Sequence, residues 1–309
     1  MGASYRLHLT GPGEPATIVA KLAAGEPARR ALVREAYRKE VGFYTLLADT
    51  VAVRTPGCRY GATAADATVF TLLLDDLAPA EVGDQLAGCT PAEAAAAVVN
   101  LAGLHGPRWC DPALTSIEWL PMVDAAGSER LGEIMAVAVE TFADRYDGRL
   151  EPDDADVLRE VAAAMPAWIV ARPERFALTH GDYRLDNLLF GPDGVSAVDW
   201  QTVTVAPPGR DLAYFIATSL EPDVRVPHEV ELVDAYHEAL AAHGVDPDRY
   251  DRATCEDDYR LGMLQGPLVT VLGCVYAMAE PTPRADAMFL AMCRRSCAAI
   301  RDLGPLDLL

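Results

Sequence analysis

The stretch from His180 to Trp200, HGDYRLDNLLFGPDGVSAVDW, constrains this chain more tightly than any other part of it. Leu188, Leu189 and Phe190 read as a short apolar strand and Gly-Pro-Asp-Gly at 191–194 as a turn, after which Val195 to Val198 bring the chain back. Such a hairpin carries Asn187 out and Asp199 back, so that both face one small volume beside Asp182. Two oxygen-bearing side chains plus a nearby carboxylate suit Mg2+, which prefers hard oxygen ligands and usually shares them with phosphate. The chemistry this suggests is phosphoryl transfer, with Asp182 orienting a hydroxyl nucleophile while Asn187 and Asp199 hold the metal on a nucleotide.

The same residues carry a family resemblance. The pattern H-x-D-x-x-x-x-N, followed by an apolar hairpin and Asp-Trp, resembles the catalytic and metal-binding loops of aminoglycoside phosphotransferases and choline kinases. These are small-molecule relatives of the eukaryotic-like protein kinases. The longer pattern HGDYRLDN…VDWQ…DLAYF is most similar to the branch grouped with ecdysteroid-kinase-like phosphotransferases. The resemblance implies an α+β, bilobal protein-kinase-like fold, with Mg2+ and ATP or GTP as phosphate donor and a small hydroxylated molecule as acceptor. It implies a catalytic loop at 180–187 and a metal-binding strand end at 199–200. His180 then holds the loop by side-chain bonding to backbone, and Asp211 accepts N–H bonds from the loop at a helix start. Arg184 stands two after Asp182, where it either offsets charge on the transferred phosphate or closes the loop. Asp186 caps or braces the loop. Trp200 takes the place of the phenylalanine in Asp-Phe-Gly; with no glycine after it, the metal loop is expected to be fixed.

Upstream, residues 5–9 and Thr17 to Leu22 read as strands on either side of a Gly-Pro-Gly turn, 27–49 as a helix, and Ala67 to Leu74 as an apolar strand. These elements make a small lobe, residues 1–77. Residues 78–309 are read as a mostly helical lobe, with helices over 91–105, 128–146, 153–171, 209–220, 228–243, 256–279 and 284–302. The cleft between lobes is the expected ligand site. By the resemblance, the connector presents the Asp75 carbonyl and the Leu77 N–H to adenine.

Lys21 ends the run Thr-Ile-Val-Ala-Lys, which resembles the kinase strand whose lysine binds the α- and β-phosphates and pairs with a helix glutamate. Glu35 and Glu40 are both candidates for that partner. Leu32, Ala36, Phe43 and Leu47 define one apolar helix face, Glu40 falls inside it, and a carboxylate there is costly unless paired. Glu40 is therefore the expected partner. Only twenty residues precede Lys21, so the first strand and glycine-rich loop of this group are expected to be missing unless the start lies further upstream. Met1-Gly2 would be a remnant of that loop, and Gly11 and Gly13 are poor substitutes for it. The alternative function that follows is a catalytically impaired, kinase-like nucleotide-binding protein.

Composition removes other classes. A formal net charge of −20 disfavours nucleic acid and is compatible with a cationic acceptor. The six histidines form none of the clusters that metal-dependent phosphoesterases need, and no activation-loop segment of the protein-kinase type follows Asp199. Seven scattered cysteines without a CxxC pair read as reduced thiols. The chain shows no signal peptide and no stretch long enough to span a bilayer, so a cytoplasmic, membrane-free protein is expected. Glu256, Asp257 and Asp258 read as a helix N-terminus or as an amine-binding cluster, and His105 as a packing residue.

Overall fold

The computed structural model describes every residue except Met1, Pro12, Glu14, Pro121, Ala279 and Glu280. The Met1 end of the expected loop remnant, the centre of the Gly-Pro-Gly turn and the end of the helix expected to reach 279 therefore lie outside the described residues. The small lobe is built on β1 (Gly2–His8), β2 (Thr17–Ala23), α1 (Pro27–Leu32), α2 (Arg34–Gly42), β3 (Cys58–Thr63) and β4 (Phe70–Asp75). Its antiparallel sheet runs in the order β1-β2-β4-β3. Phe70, Leu72 and Leu74 alternate inward along β4, the period of two that a half-buried strand requires. That strand begins later than expected because Ala67 sits in a turn with φ 55°. β3 had no sequence signal: CRYGAT is an edge strand with no buried residue, so it lacks apolar alternation.

The helix expected over 27–49 breaks at Val33 (φ −106°, ψ 11°), and its last turns pass into π- and 3-10 geometry at Phe43–Leu47 and Ala48–Thr50. The break resets the helical phase. Leu32 is therefore 86% exposed rather than part of the buried face, and α2 turns Tyr37, Glu40 and Val41 inward. Glu40 keeps its inward position, but on a stripe that starts at Tyr37.

The large lobe contains β5 (Glu81–Val82), α3 (Pro91–His105), α4 (Ala125–Arg145), α5 (Pro152–Ile169), β6 (Ala177–Thr179), β7 (Leu188–Gly191), β8 (Gly194–Ala197), β9 (Thr204–Ala206), α6 (Gly209–Ser219), α7 (Pro222–Ala242), α8 (Arg252–Gly262), α9 (Gln265–Leu272) and α10 (Pro283–Leu303). Thr90 and Glu93 form a capping box and Pro91 occupies the first turn, which is why α3 starts where the sequence places it. The helix expected over 256–279 is instead α8 and α9 with a break at Met263–Leu264, and α9 ends in a π turn at Gly273–Ala277. The 180–200 hairpin is not alone in the helical lobe, since β6 pairs with β9 around it and β5 adds a third strand to β7 and β8. Every residue of α6 is buried, so this helix forms the centre of the lobe. One apolar core runs through both lobes, from Leu72 and Phe43 to Trp200 and on to Phe215, with a smaller cluster of Tyr214, Met288 and Met292 apart from it. That continuity fixes the cleft walls relative to each other. Among the described residues no helix is long and apolar enough to cross a membrane.

Candidate active site

The hairpin register decides which side chains meet. Leu188 pairs with Ala197, and the Val198 N–H donates to the Asn187 carbonyl at 3.0 Å. Asn187 thus lies opposite Val198, and Asp199 is one residue further on. Asp199 adopts a left-handed backbone (φ 67°, ψ 66°), a conformation aspartate tolerates better than most residues. Such strain gathers at functional sites. Its carboxylate meets Lys21 across the cleft, with Nζ 3.1 Å from Oδ1, while the same Nζ lies 2.5 Å from Glu40 Oε1. Burial works against the Lys21 ammonium, but Glu40 and Asp199 outweigh it and hold its pKa above the ordinary lysine value. Burial pushes the Glu40 carboxyl up to about 7 against the pull of Lys21, with Asp199 adding to the rise.

The catalytic-loop candidate is pinned from behind. The backbone N–H groups of His180 and Gly181 donate to the two carboxylate oxygens of Asp211, at 2.6 and 3.0 Å. Gly181 is required here: its φ is +78°, and an added Cβ would lie 2.7 Å from the Thr202 carbonyl oxygen. The His180 ring bridges Val198 O (Nε2, 3.0 Å) and the Asp182 N–H (Nδ1, 3.3 Å). An acceptor role at Nδ1 puts the ring proton on Nε2, where it donates to Val198. His180 therefore joins the loop to the strand end that carries Asp199.

Asp182 is held by three donors. Tyr214 OH reaches Oδ1 at 2.8 Å, Asn187 Nδ2 reaches Oδ2 at 3.0 Å, and Arg184 Nε lies 3.2 Å from Oδ1. Asn187 Nδ2 also donates to the Asp182 carbonyl at 2.8 Å. Arg184 continues to Asp186 Oδ2 at 3.1 Å. Burial disfavours its charge, yet Asp182 and its neighbours keep the guanidinium pKa above the ordinary value. Asp186 also accepts the Gln85 N–H at 3.0 Å, a bracing contact.

A cleft of about 340 Å³ lies between the lobes, with Lys21, Glu40, Leu77, Asn187, Leu189 and Asp199 in its wall. Val19 and Leu189 supply apolar surfaces, and Asp75, Asp76 and Leu77 form its connector side. The Asp75 side chain pairs with Arg59 at 2.6 Å. Gly2, Ser4 and Arg6 of β1 also line the cleft, and Arg6 reaches Asp76 at 2.6 Å. Asp182 stands beside this wall, joined to it through Asn187.

The donor set fits a hard cation. Asn187 spends its amide N–H groups on Asp182, which leaves its oxygen for the cleft, and Asp199 has one carboxylate oxygen on Lys21 and is 30% exposed. Among the described residues no group of three or more His, Cys, Asp or Glu is arranged to hold a metal. Two oxygen ligands completed by phosphate and water is the arrangement Mg2+ commonly takes.

Several sequence expectations land elsewhere. Asp258 is buried in a two-pronged pair with Arg175 (2.8 Å at both prongs), Glu256 meets Arg252, and Asp257 meets Arg260. α8 is capped by Asp251, so the acidic run is neither a helix start nor an open amine site. His105 does more than pack: its Nε2 lies 3.4 Å from Asp211 and its Nδ1 2.7 Å from Tyr236 OH, all buried. Gln85 carried no signal at all. Its buried side chain accepts the Leu185 N–H at 2.8 Å and donates to the Thr218 carbonyl at 2.9 Å, tying the loop to α6. A lone glutamine in a connector looks like any surface residue until the chain is folded.

The fold is similar to that of kinase-like phosphotransferases. Residues 116–245 match the family model described as the ecdysteroid kinase-like family, a span that takes in Asp182, Asn187, Asp199 and Asp211. Mouse acyl-CoA dehydrogenase family member 10 is 30% identical over 95 residues, which are 30% of this chain and only 8% of that protein. Among solved structures, choline kinase of Cryptosporidium parvum Iowa II superposes with a TM-score of 0.60 at 8% identity, covering 100% of this chain and 88% of that one. Plasmodium vivax ethanolamine kinase gives 0.53 at 10% identity, covering 95% and 79%. The GDP complex of aminoglycoside 2′-phosphotransferase-IIIa gives 0.51 at 16% identity, covering 95% and 92%. At these identities the likeness is one of fold, and the fold is the α+β bilobal one of the kinase-like phosphotransferases.

Proposed function

We propose that this protein transfers the γ-phosphate of ATP or GTP to a hydroxyl of a small molecule. The observation that carries the reading is one cleft wall in which Lys21 joins Glu40 to Asp199 while Asn187 joins the same wall to Asp182. Lys21, steadied by Glu40, would bind phosphate oxygens, and the backbone of Asp75 and Leu77 would meet the base. Asn187 and Asp199 would hold Mg2+, which supplies charge neutralisation at the phosphates. Asp182 orients the acceptor hydroxyl and takes its proton as the new O–P bond forms and the bond to the diphosphate leaving group breaks. Arg184, bonded to Asp182, offsets charge on the transferred group; turnover unchanged in Arg184→Met would remove that role.

A GDP complex of a fold relative keeps GTP in play beside ATP. All seven cysteines are unpaired, in keeping with a cytoplasmic protein. The relatives in the comparison are named for aminoglycoside, choline and ethanolamine as acceptors, and a hydroxylated, cationic small molecule would also suit the net charge of −20. The test is thermal stabilisation by Mg-ATP and Mg-GTP, followed by a phosphate-transfer screen of hydroxylated metabolites and antibiotics. Stabilisation by one nucleotide and Asp182-dependent transfer are expected. Failure of both nucleotides to bind would overturn the reading. Binding without any transfer or hydrolysis would leave the nucleotide-binding alternative in its place.

A further inference from the structure

α6 carries two residues, one helical turn apart, that reach the same loop. Asp211 takes the backbone N–H groups of His180 and Gly181, and Tyr214, three residues later, donates its hydroxyl to Asp182 Oδ1 at 2.8 Å. Tyr214 is fully buried beside Met288 and Met292 of α10, with Val269 and Phe289 packed against them. Its ring is therefore locked, and the phenol O–H is aimed at one oxygen of one carboxylate. Resting on the function proposed above, we infer that Tyr214 is a positioning residue for phosphoryl transfer: with Asp211 it makes α6 a two-point template, one point setting the loop backbone and the other setting the rotation of the Asp182 carboxylate.

The physical case is one of geometry and charge. A carboxylate turns easily about its last bond, so the loop backbone alone does not fix where its oxygens point. Asn187 holds Oδ2, and Arg184 approaches both oxygens between 3.2 and 3.3 Å without selecting one. Tyr214 supplies the remaining directed bond at Oδ1. A phenol suits this place because it donates without carrying a charge that would compete for the anion. Burial, and then the neighbouring Asp182 charge, hold its pKa well above the ordinary tyrosine value, so it remains a donor throughout the working range.

The experiment compares Tyr214→Phe, Asp182→Asn and the double variant with the wild type, following phosphate release from Mg-ATP with water as acceptor. Tyr214→Phe removes one oxygen and keeps the packed ring, and its melting curve reports whether the core is intact. The expected result is a kcat lower by about 10- to 100-fold, the loss of one hydrogen bond to a charged group. KM for Mg-ATP should stay within about twofold, and the double variant should be no slower than Asp182→Asn alone. Losses that add in the double variant, or a change confined to KM and melting temperature, would make Tyr214 a core residue and overturn the inference. Normal turnover in Tyr214→Phe beside a slow Asp182→Asn overturns it while leaving the kinase reading intact. A wild type that neither binds nor hydrolyses nucleotide overturns both.

Discussion

Phe43 and Trp200 stack face to face, with ring centroids 3.5 Å apart and planes 9° from parallel. Phe43 follows Glu40 by three residues and Trp200 follows Asp199 directly, so this stack sets the spacing between the two carboxylates that share Lys21. Both rings are fully buried, and Trp200 Nε1 donates to Thr55 Oγ1 at 3.2 Å. Phe43→Ala should cost about 3–5 kcal/mol of stability, as large aromatic truncations in cores do. Nucleotide affinity should fall with it, whereas Phe43→Leu should lose less of both. Urea denaturation and isothermal titration with Mg-ATP measure the pair of effects.

Asp199→Ala removes one of the two proposed oxygen ligands and one of the two partners of Lys21. Mg2+-dependent nucleotide stabilisation in a thermal-shift assay should disappear. Retention of that stabilisation would count against Asp199 as a ligand.

Asp182→Asn leaves the cleft wall in place because Asp182 only adjoins it. Nucleotide affinity should remain close to wild type while turnover drops by orders of magnitude, since the change acts on the chemical step. Steady-state kinetics with titration of the same sample separates the two quantities.

Asp211 accepts two backbone N–H groups and faces His105 in a fully buried setting. Asp211→Ala strands those donors, and a loss of at least about 3 kcal/mol is expected from breaking such a buried network. Chemical denaturation reads it directly. Unchanged stability would mean that the loop finds other acceptors.

Glu40 gives the protein a pH-dependent stability. The ordinary glutamate value is 4.5, and burial raises Glu40 to about 7, with Lys21 and Asp199 as its charged neighbours. Between those values the folded chain holds a proton that the unfolded chain has released, so stability falls as pH rises through the window. The contribution is complete below 4.5, declines by up to about 1.4 kcal/mol per pH unit, and is gone above about 7. Lys21, raised above its ordinary value, loses its own contribution only in far more alkaline solution. Glu40→Gln should flatten the profile between pH 5 and 8 in nucleotide-free protein. An identical slope in the variant would assign the pH dependence to another group.

The local pattern was legible from Asn187 to Asp199 because an apolar hairpin with a Gly-Pro-Asp-Gly turn has one natural register, and register sets which side chains face together. Cap chemistry made the start of α3 readable for the same reason: its causes are neighbours in the chain. The inward position of Glu40 was also readable, although the stripe used to find it was drawn through Leu32, on the wrong side of the Val33 break. Two-residue and edge strands such as β5 and β3 were not, since they carry no buried alternation.

What the sequence determined by itself was therefore the set of polar side chains on the loop and hairpin and the helical character of most of the second lobe. Tertiary structure alone decided their supports. Gln85 and Tyr214 reach the candidate catalytic loop from 100 and 32 positions away, His105 reaches the loop's support Asp211 from 106 away, and the acidic run at 256–258 is neutralised by arginines the pattern did not pair with it. Short-range periodicity encodes which face of a strand or helix is apolar. The partner of a buried polar atom is set by how those faces pack, and that information exists only once the chain has closed on itself.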